Sequence, residues 1–173
     1  MEKSTKEKNL QKNLKTMTDV LFVCMIVFIV IMALSFVLSI IHVVGSASAY
    51  SCLSAEGKAD FLDYYSCRII DTFTLLAVAV VGFEIFRRFK KENTPFIPYI
   101  GKGLRIIAIL LFAGIILMTA AHIVSYKITG VMPPNEYNGF LDYGSAIFVS
   151  LLIMLSYIFD RGCELQQESD ETI

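Results

Sequence analysis

Tryptophan is absent from the 173 residues, and histidine occurs only twice. Without indole rings, any belt at a membrane–water boundary must be built from tyrosine. The four cysteines form no CxxC pair, which removes the usual zinc-ribbon and thioredoxin-like spacings. No HExxH, Ser–His or paired-carboxylate arrangement is present, so the chain is not expected to be an enzyme, and no catalytic residue, cofactor or metal is assigned. Gly101 and Gly103 lack the GxxxxGK[ST] frame of a phosphate loop. No nucleic-acid-binding motif accompanies the basic residues, so direct nucleic-acid binding is not expected.

Charge is also missing from long stretches. Only 18% of residues are charged and 55% are hydrophobic, with a mean hydropathy of +0.63, well above that of ordinary soluble domains. The net charge of -1 hides a segregation: the charges fall between the apolar runs. A bilayer core of about 30 Å needs about 20 residues of helix. Four runs approach or exceed that, at about 20–44, 69–86, 104–125 and 143–159. Each is apolar all round rather than striped, which suits lipid on one side and helix neighbours on the other. The expected fold is all-α, a single integral membrane four-helix bundle of two hairpins, with a basic segment at 1–19 and an acidic tail at 160–173.

Placing the N-terminus, the 87–105 connection and the tail on one side gathers every Lys and Arg there except Lys58, Arg68 and Lys127. The positive-inside rule makes that side cytoplasmic, with both termini inside and the connections at 45–68 and 126–141 outside. The basic start, the apolar run and Ala47-Ser48-Ala49 also outline a signal peptide. The run of about 25 residues exceeds the roughly 7–15 of such h-regions, so the first helix is expected to be retained. Tyr50, Tyr64, Tyr65, Tyr126, Tyr137 and Tyr143 fall outside, and Tyr99 and Tyr157 inside.

Cys52 and Cys67 share the outward connection and are a candidate disulfide. His42 and His122 sit near the outer ends of the odd-numbered helices, and Asp71 and Asp142 near the outer starts of the even-numbered ones. These four form a candidate outer-face polar site, because ionisable groups at membrane depth are costly and mark function by default. Capping of helix ends, or pairing with Arg68, is the structural alternative. "EIFRR" at 84–88 and "YIFDR" at 157–161 hint at a weak repeat of hairpins.

On the inner side, Arg87, Arg88, Lys90, Lys91, Pro95 and Phe96 form a candidate inner-face loop, basic and then turn-forming, with Pro98 expected to block helix. If the fourth helix continues past the membrane, Asp160, Glu164 and Glu168 form one acidic stripe beside Leu165. A helix dipole disfavours acids at its C-terminal end, so cations must answer them: Arg87 to Lys91 from within, or a basic partner from outside.

The closing "FDRGCELQQESDETI" resembles the C-terminal signature of domain-of-unknown-function family 2975, in which tails follow G-x-x-L-Q-x-E-x-D-x-T-[IV]. The matching positions are Gly162, Leu165, Gln166, Glu168, Asp170, Thr172 and Ile173. "TPF" at 94–96 is similar to that family's NPF-like inner element, with Thr94 in place of Asn and with Ile97 and Pro98 where polar residues are usual. The resemblance implies a small four-helix protein of the bacterial cytoplasmic membrane. Members share a gene context beside a small helix-turn-helix transcription regulator. That implies a non-enzymatic membrane partner which binds or sequesters the regulator, with the tail competing for its basic DNA-binding surface. The alternative is a small transporter, or an export or immunity factor, working through the outer-face His/Asp site.

Overall fold

The computed structural model describes residues 2–92, 98–132 and 143–171, apart from the side chains of residues 2–15, 17, 18, 92, 98, 143, 144 and 170. The fold is all-α, a four-helix bundle: α1 (Glu2–Tyr50), α2 (Ala55–Glu92), α3 (Pro98–Thr129) and α4 (Tyr143–Glu171). Each contains a span long and apolar enough to cross a membrane. Every helix except α4 overruns its apolar run at both ends, and α4 overruns at its C-terminal end. At 1.5 Å per residue, the 38 residues of α2 extend about 57 Å, nearly twice a bilayer core.

The expected outward loop at 45–68 is therefore corrected: it is almost entirely helix. Its turn is confined to residues 51–54, where the Cys52 and Leu53 amides donate to the Ala49 and Tyr50 carbonyls. Ser54 caps α2, its Oγ accepting from the Gly57 amide at 3.2 Å, as an N-cap hydroxyl does three residues ahead. The helix-blocking role expected of Pro98 is also corrected. Pro98 opens α3, at a helix start where a missing N–H leaves no bond unmade. The basic segment 1–19 and the Ala47-Ser48-Ala49 stretch both lie within α1. Gly130, with φ of 70°, ends α3, its amide donating to the Tyr126 carbonyl at 2.8 Å.

Packing follows chain order. α1 lies on α2, α2 on α3 and α3 on α4, and among the described residues α4 does not meet α1. The α1–α2 seam is aromatic along its length: Phe22 meets Phe83, Phe36 meets Phe73 and Tyr50 meets Phe61. Lys90 on α2 closes its termini end on Asp19 at 2.6 Å. The core sits between α2, α3 and α4, where Cys67, Ile107, Ala108, Leu111, Met118 and Val149 pack with Val78, Ile85 and Leu152. Apolar residues of α1 such as Val20, Leu38, Ile41 and Val44 stay exposed, as helix faces do against lipid.

Lipid tails are as apolar as the helices, so packing rather than hydrophobic transfer holds such a bundle together, and small residues at the seams permit close approach. The α4 seam shows this. Ser145, Val149, Ser156 and Cys163 are buried and Leu152 joins the core, at the three-and-four spacing of a coiled-coil stripe. At the termini end the α3 and α4 backbones approach closely at Gly101. A Cβ there would meet the Ser156 carbonyl oxygen at 3.2 Å and collide with Asp160 Oδ1.

Candidate functional site

Along α2, Ala59, Asp63, Cys67 and Asp71 recur every four residues, so they share one face, and all four are buried. The facing side of α3 carries Ser125 and His122. Ser125 Oγ donates to the Ala59 carbonyl at 3.0 Å, pinning the two helices one turn from Asp63. The His122 ring then sits between two α2 residues. Its Nδ1 lies 2.6 Å from Asp63 Oδ1 and its Nε2 lies 3.8 Å from Cys67 Sγ. Cys67 is 0% exposed and Asp63 3%. Asp63 Oδ1 sits at ion-pair distance from the ring without the alignment of a hydrogen bond.

Thiol, imidazole and carboxylate stand in the order of a nucleophile, its base and an orienting acid. A nucleophile must meet its substrate, however, and Cys67 is sealed in a helix interface. The same groups also form a compact donor set, their ligand atoms all within 4.8 Å of one another. The cluster lies near the level of Tyr64, Tyr65 and Tyr126, residues of the type that marks a headgroup boundary.

Of the four residues expected at the outer-face site, the structure brings only His122 and the Asp71 position to this face. His42 faces elsewhere: its ring stacks on Tyr65 with centroids 5.4 Å apart, in the α1–α2 seam. Asp142 lies outside the described residues. Arg68 donates to the Tyr64 hydroxyl at 2.9 Å. Asp63 is absent from the expected site because hydropathy alone starts the second span at about 69, whereas α2 starts at Ala55. The four-residue spacing of Ala59, Asp63, Cys67 and Asp71 was the signal available.

The candidate disulfide is corrected as well. Cys52 and Cys67 are both free thiols, Cys52 exposed in the turn and Cys67 buried against His122. Twelve residues of helix from Ala55 to Cys67 amount to about 18 Å, far beyond the roughly 7 Å Cα separation a disulfide tolerates.

At the termini end the acidic stripe divides. Asp160 accepts from Arg105 Nη2 of α3 at 2.5 Å, whereas Glu164 pairs with Arg161 on its own helix at 2.7 Å. The expected internal cations are otherwise engaged. Arg87 and Arg88 pair with Glu84, Arg88 also lies 3.7 Å over the Tyr99 ring, and Lys90 holds Asp19. Lys91 is exposed. Glu84 is thus paired within its own helix, whereas Asp160 is paired with the neighbouring one. Gly162 is half-buried beside Cys163, and residues 164–169, including Glu164, Leu165, Gln166 and Glu168, are exposed on a continuing helix. Asp170 falls within that helix; Pro95, Phe96 and Thr172 lie outside the described residues.

A family model described as a protein of unknown function, DUF2975, matches residues 62–173. The matched stretch takes in all but the first two turns of α2, together with α3 and α4, and so contains both the Asp63–Cys67–His122 cluster and the tail. No curated protein and no solved structure matches the chain.

Proposed function

The chain belongs to the DUF2975 family of proteins of unknown function, and from that premise, with four membrane-spanning-capable helices, we propose a non-enzymatic membrane partner that docks a small helix-turn-helix regulator on its α4 tail. The observation that carries this reading is the change in α4 after Cys163. Up to that residue one face is buried against α3; from Glu164 to Ser169 the same helix is exposed. A helix that outlasts its own packing, bearing Glu164, Glu168 and Glu171 around Leu165, offers an acidic surface with one apolar contact. A DNA-binding face is basic, so it complements that surface in sign, and charge complementarity favours fast, selective encounter. On this reading the positive-inside rule puts this end on the cytoplasmic side.

The transport reading has less support. His42 stands in a different seam from His122, and α2 and α3 run unbroken, whereas many carriers unwind helices at the substrate site.

The test compares full-length protein with a version ending at Cys163 and with a Glu164→Gln/Glu168→Gln/Glu171→Gln variant. The cut belongs after Cys163 because Asp160 and Cys163 still pack on α3. A cytoplasmic helix-turn-helix protein should be recovered with the intact chain and lost with both variants. Equal recovery from all three would sink the role of the tail.

A further inference from the structure

We propose that Asp63, Cys67 and His122 form a binding site for one thiophilic divalent cation of the zinc class. The site is separate from the tail, and the proposal does not depend on the docking reading.

The donor set selects the ion. Calcium and magnesium take oxygen ligands, whereas one thiolate, one imidazole and one carboxylate suit zinc and its neighbours. The spacing selects a single ion. Two ligands on a tetrahedral zinc, with bonds of about 2.0–2.3 Å, stand roughly 3.6 Å apart, and Cys67 Sγ and His122 Nε2 are 3.8 Å apart. Asp63 is poised to hold the ring through Nδ1, the carboxylate–histidine–metal arrangement, or to swing its carboxylate onto the ion, since all three donors lie within 4.8 Å.

Burial supplies the driving force. An ionised carboxylate away from water needs a partner charge or aligned donors; Asp63 Oδ1 has the His122 ring at 2.6 Å, a partner charge only when that ring is protonated, and no aligned hydrogen bond. A bound cation answers that charge and holds the Cys67 sulfur as thiolate. The frame is fixed in advance by the Ser125–Ala59 bond and by the buried core cluster to which Cys67 and Met118 both belong. With Asp63 swung onto the ion, three protein donors leave a fourth position for water or a small ligand. That is the pattern of an exchangeable site, in contrast to the closed four-ligand structural kind. Asp71 is buried one turn further along the same face of α2.

The experiment titrates tag-free, full-length protein in detergent micelles with cobalt(II), reading thiolate-to-cobalt charge-transfer absorption and its displacement by zinc. Wild type should show the band at one ion per chain. Cys67→Ser should abolish it, His122→Gln should weaken binding tenfold or more, and Asp63→Asn should weaken it about 10–100-fold. A Cys24→Ser/Cys52→Ser/Cys163→Ser variant should retain the band. Helicity and elution volume check each fold. If Cys67→Ser fails that check, His122→Gln decides, because its side chain is partly exposed. No band in wild type, a band that survives in folded Cys67→Ser, or undiminished affinity in His122→Gln would overturn the site. Tail variants should leave the titration unchanged, which separates its failure from that of the docking reading.

Discussion

Arg105 on α3 reaches Asp160 on α4 beside Gly101, a glycine whose added Cβ would meet a backbone atom of the neighbouring helix. Gly101→Ala should therefore part the two helices at the termini end and cost about 1–3 kcal/mol, the usual range for overpacking. Gly103→Ala should cost less, because its Cβ would meet only the Ile85 side chain, which can turn aside. Thermal unfolding in detergent, comparing the two variants, checks the order.

The ion pair itself should contribute modestly. Both side chains are partly exposed, so a double-mutant cycle of Arg105→Ala and Asp160→Ala should give a coupling of about 0.5–1 kcal/mol. The reversed pair, Arg105→Asp with Asp160→Arg, should recover part of what either reversal alone removes. Unfolding midpoints of the four proteins measure this.

Cysteine chemistry should follow burial. In membranes without reductant, Cys52 should react with a polar maleimide, while Cys67 should react only after denaturation. Electrophoretic mobility should be the same with and without reductant. A fast-migrating form that disappears with Cys52→Ser would show that the two thiols pair after all.

Within the α2–α3 interface, the core should outweigh the polar pin. Leu111→Ala should lose about 2–5 kcal/mol as a buried cavity. Ser125→Ala should lose only about 0.6 kcal/mol, near the mean for hydrogen bonds between membrane helices. Both are read from unfolding midpoints. The reverse order would mean that the Ser125–Ala59 bond carries more of the interface than its geometry implies.

The existence of four helices was legible because each run has enough consecutive apolar residues to span a bilayer. Their ends were not. Glu56, Lys58, Asp60, Asp63 and Arg68 depress the hydropathy of the first half of α2, although the buried stripe through Ala59, Asp63 and Cys67 continues unbroken. Hydropathy reports contact with lipid, whereas this stripe reports contact with α3. His122 was legible as a site residue because a histidine near an apolar run is conspicuous. Its partners were not, since both lay in a segment expected to be loop. Sequence spacing offers Arg87 to Lys91, on α2, as cations for Asp160; the helices pack in chain order, and among the described residues α2 does not meet α4. Arg105, on the helix that does, is 55 positions from Asp160, and local spacing cannot reveal it.

The close approach at Gly101 changes what kind of object the acidic tail is. A peptide hung from a membrane helix is a leash, free to sweep a hemisphere. Here the root of the tail is clamped at Asp160 and Cys163, and the helix runs on to Glu171, about 12 Å beyond the clamp. It is a mast. Whatever it carries is held at a set height and bearing above the membrane, and a proline placed at 166, in place of an uncharged glutamine, would let the mast swing without removing a single charge.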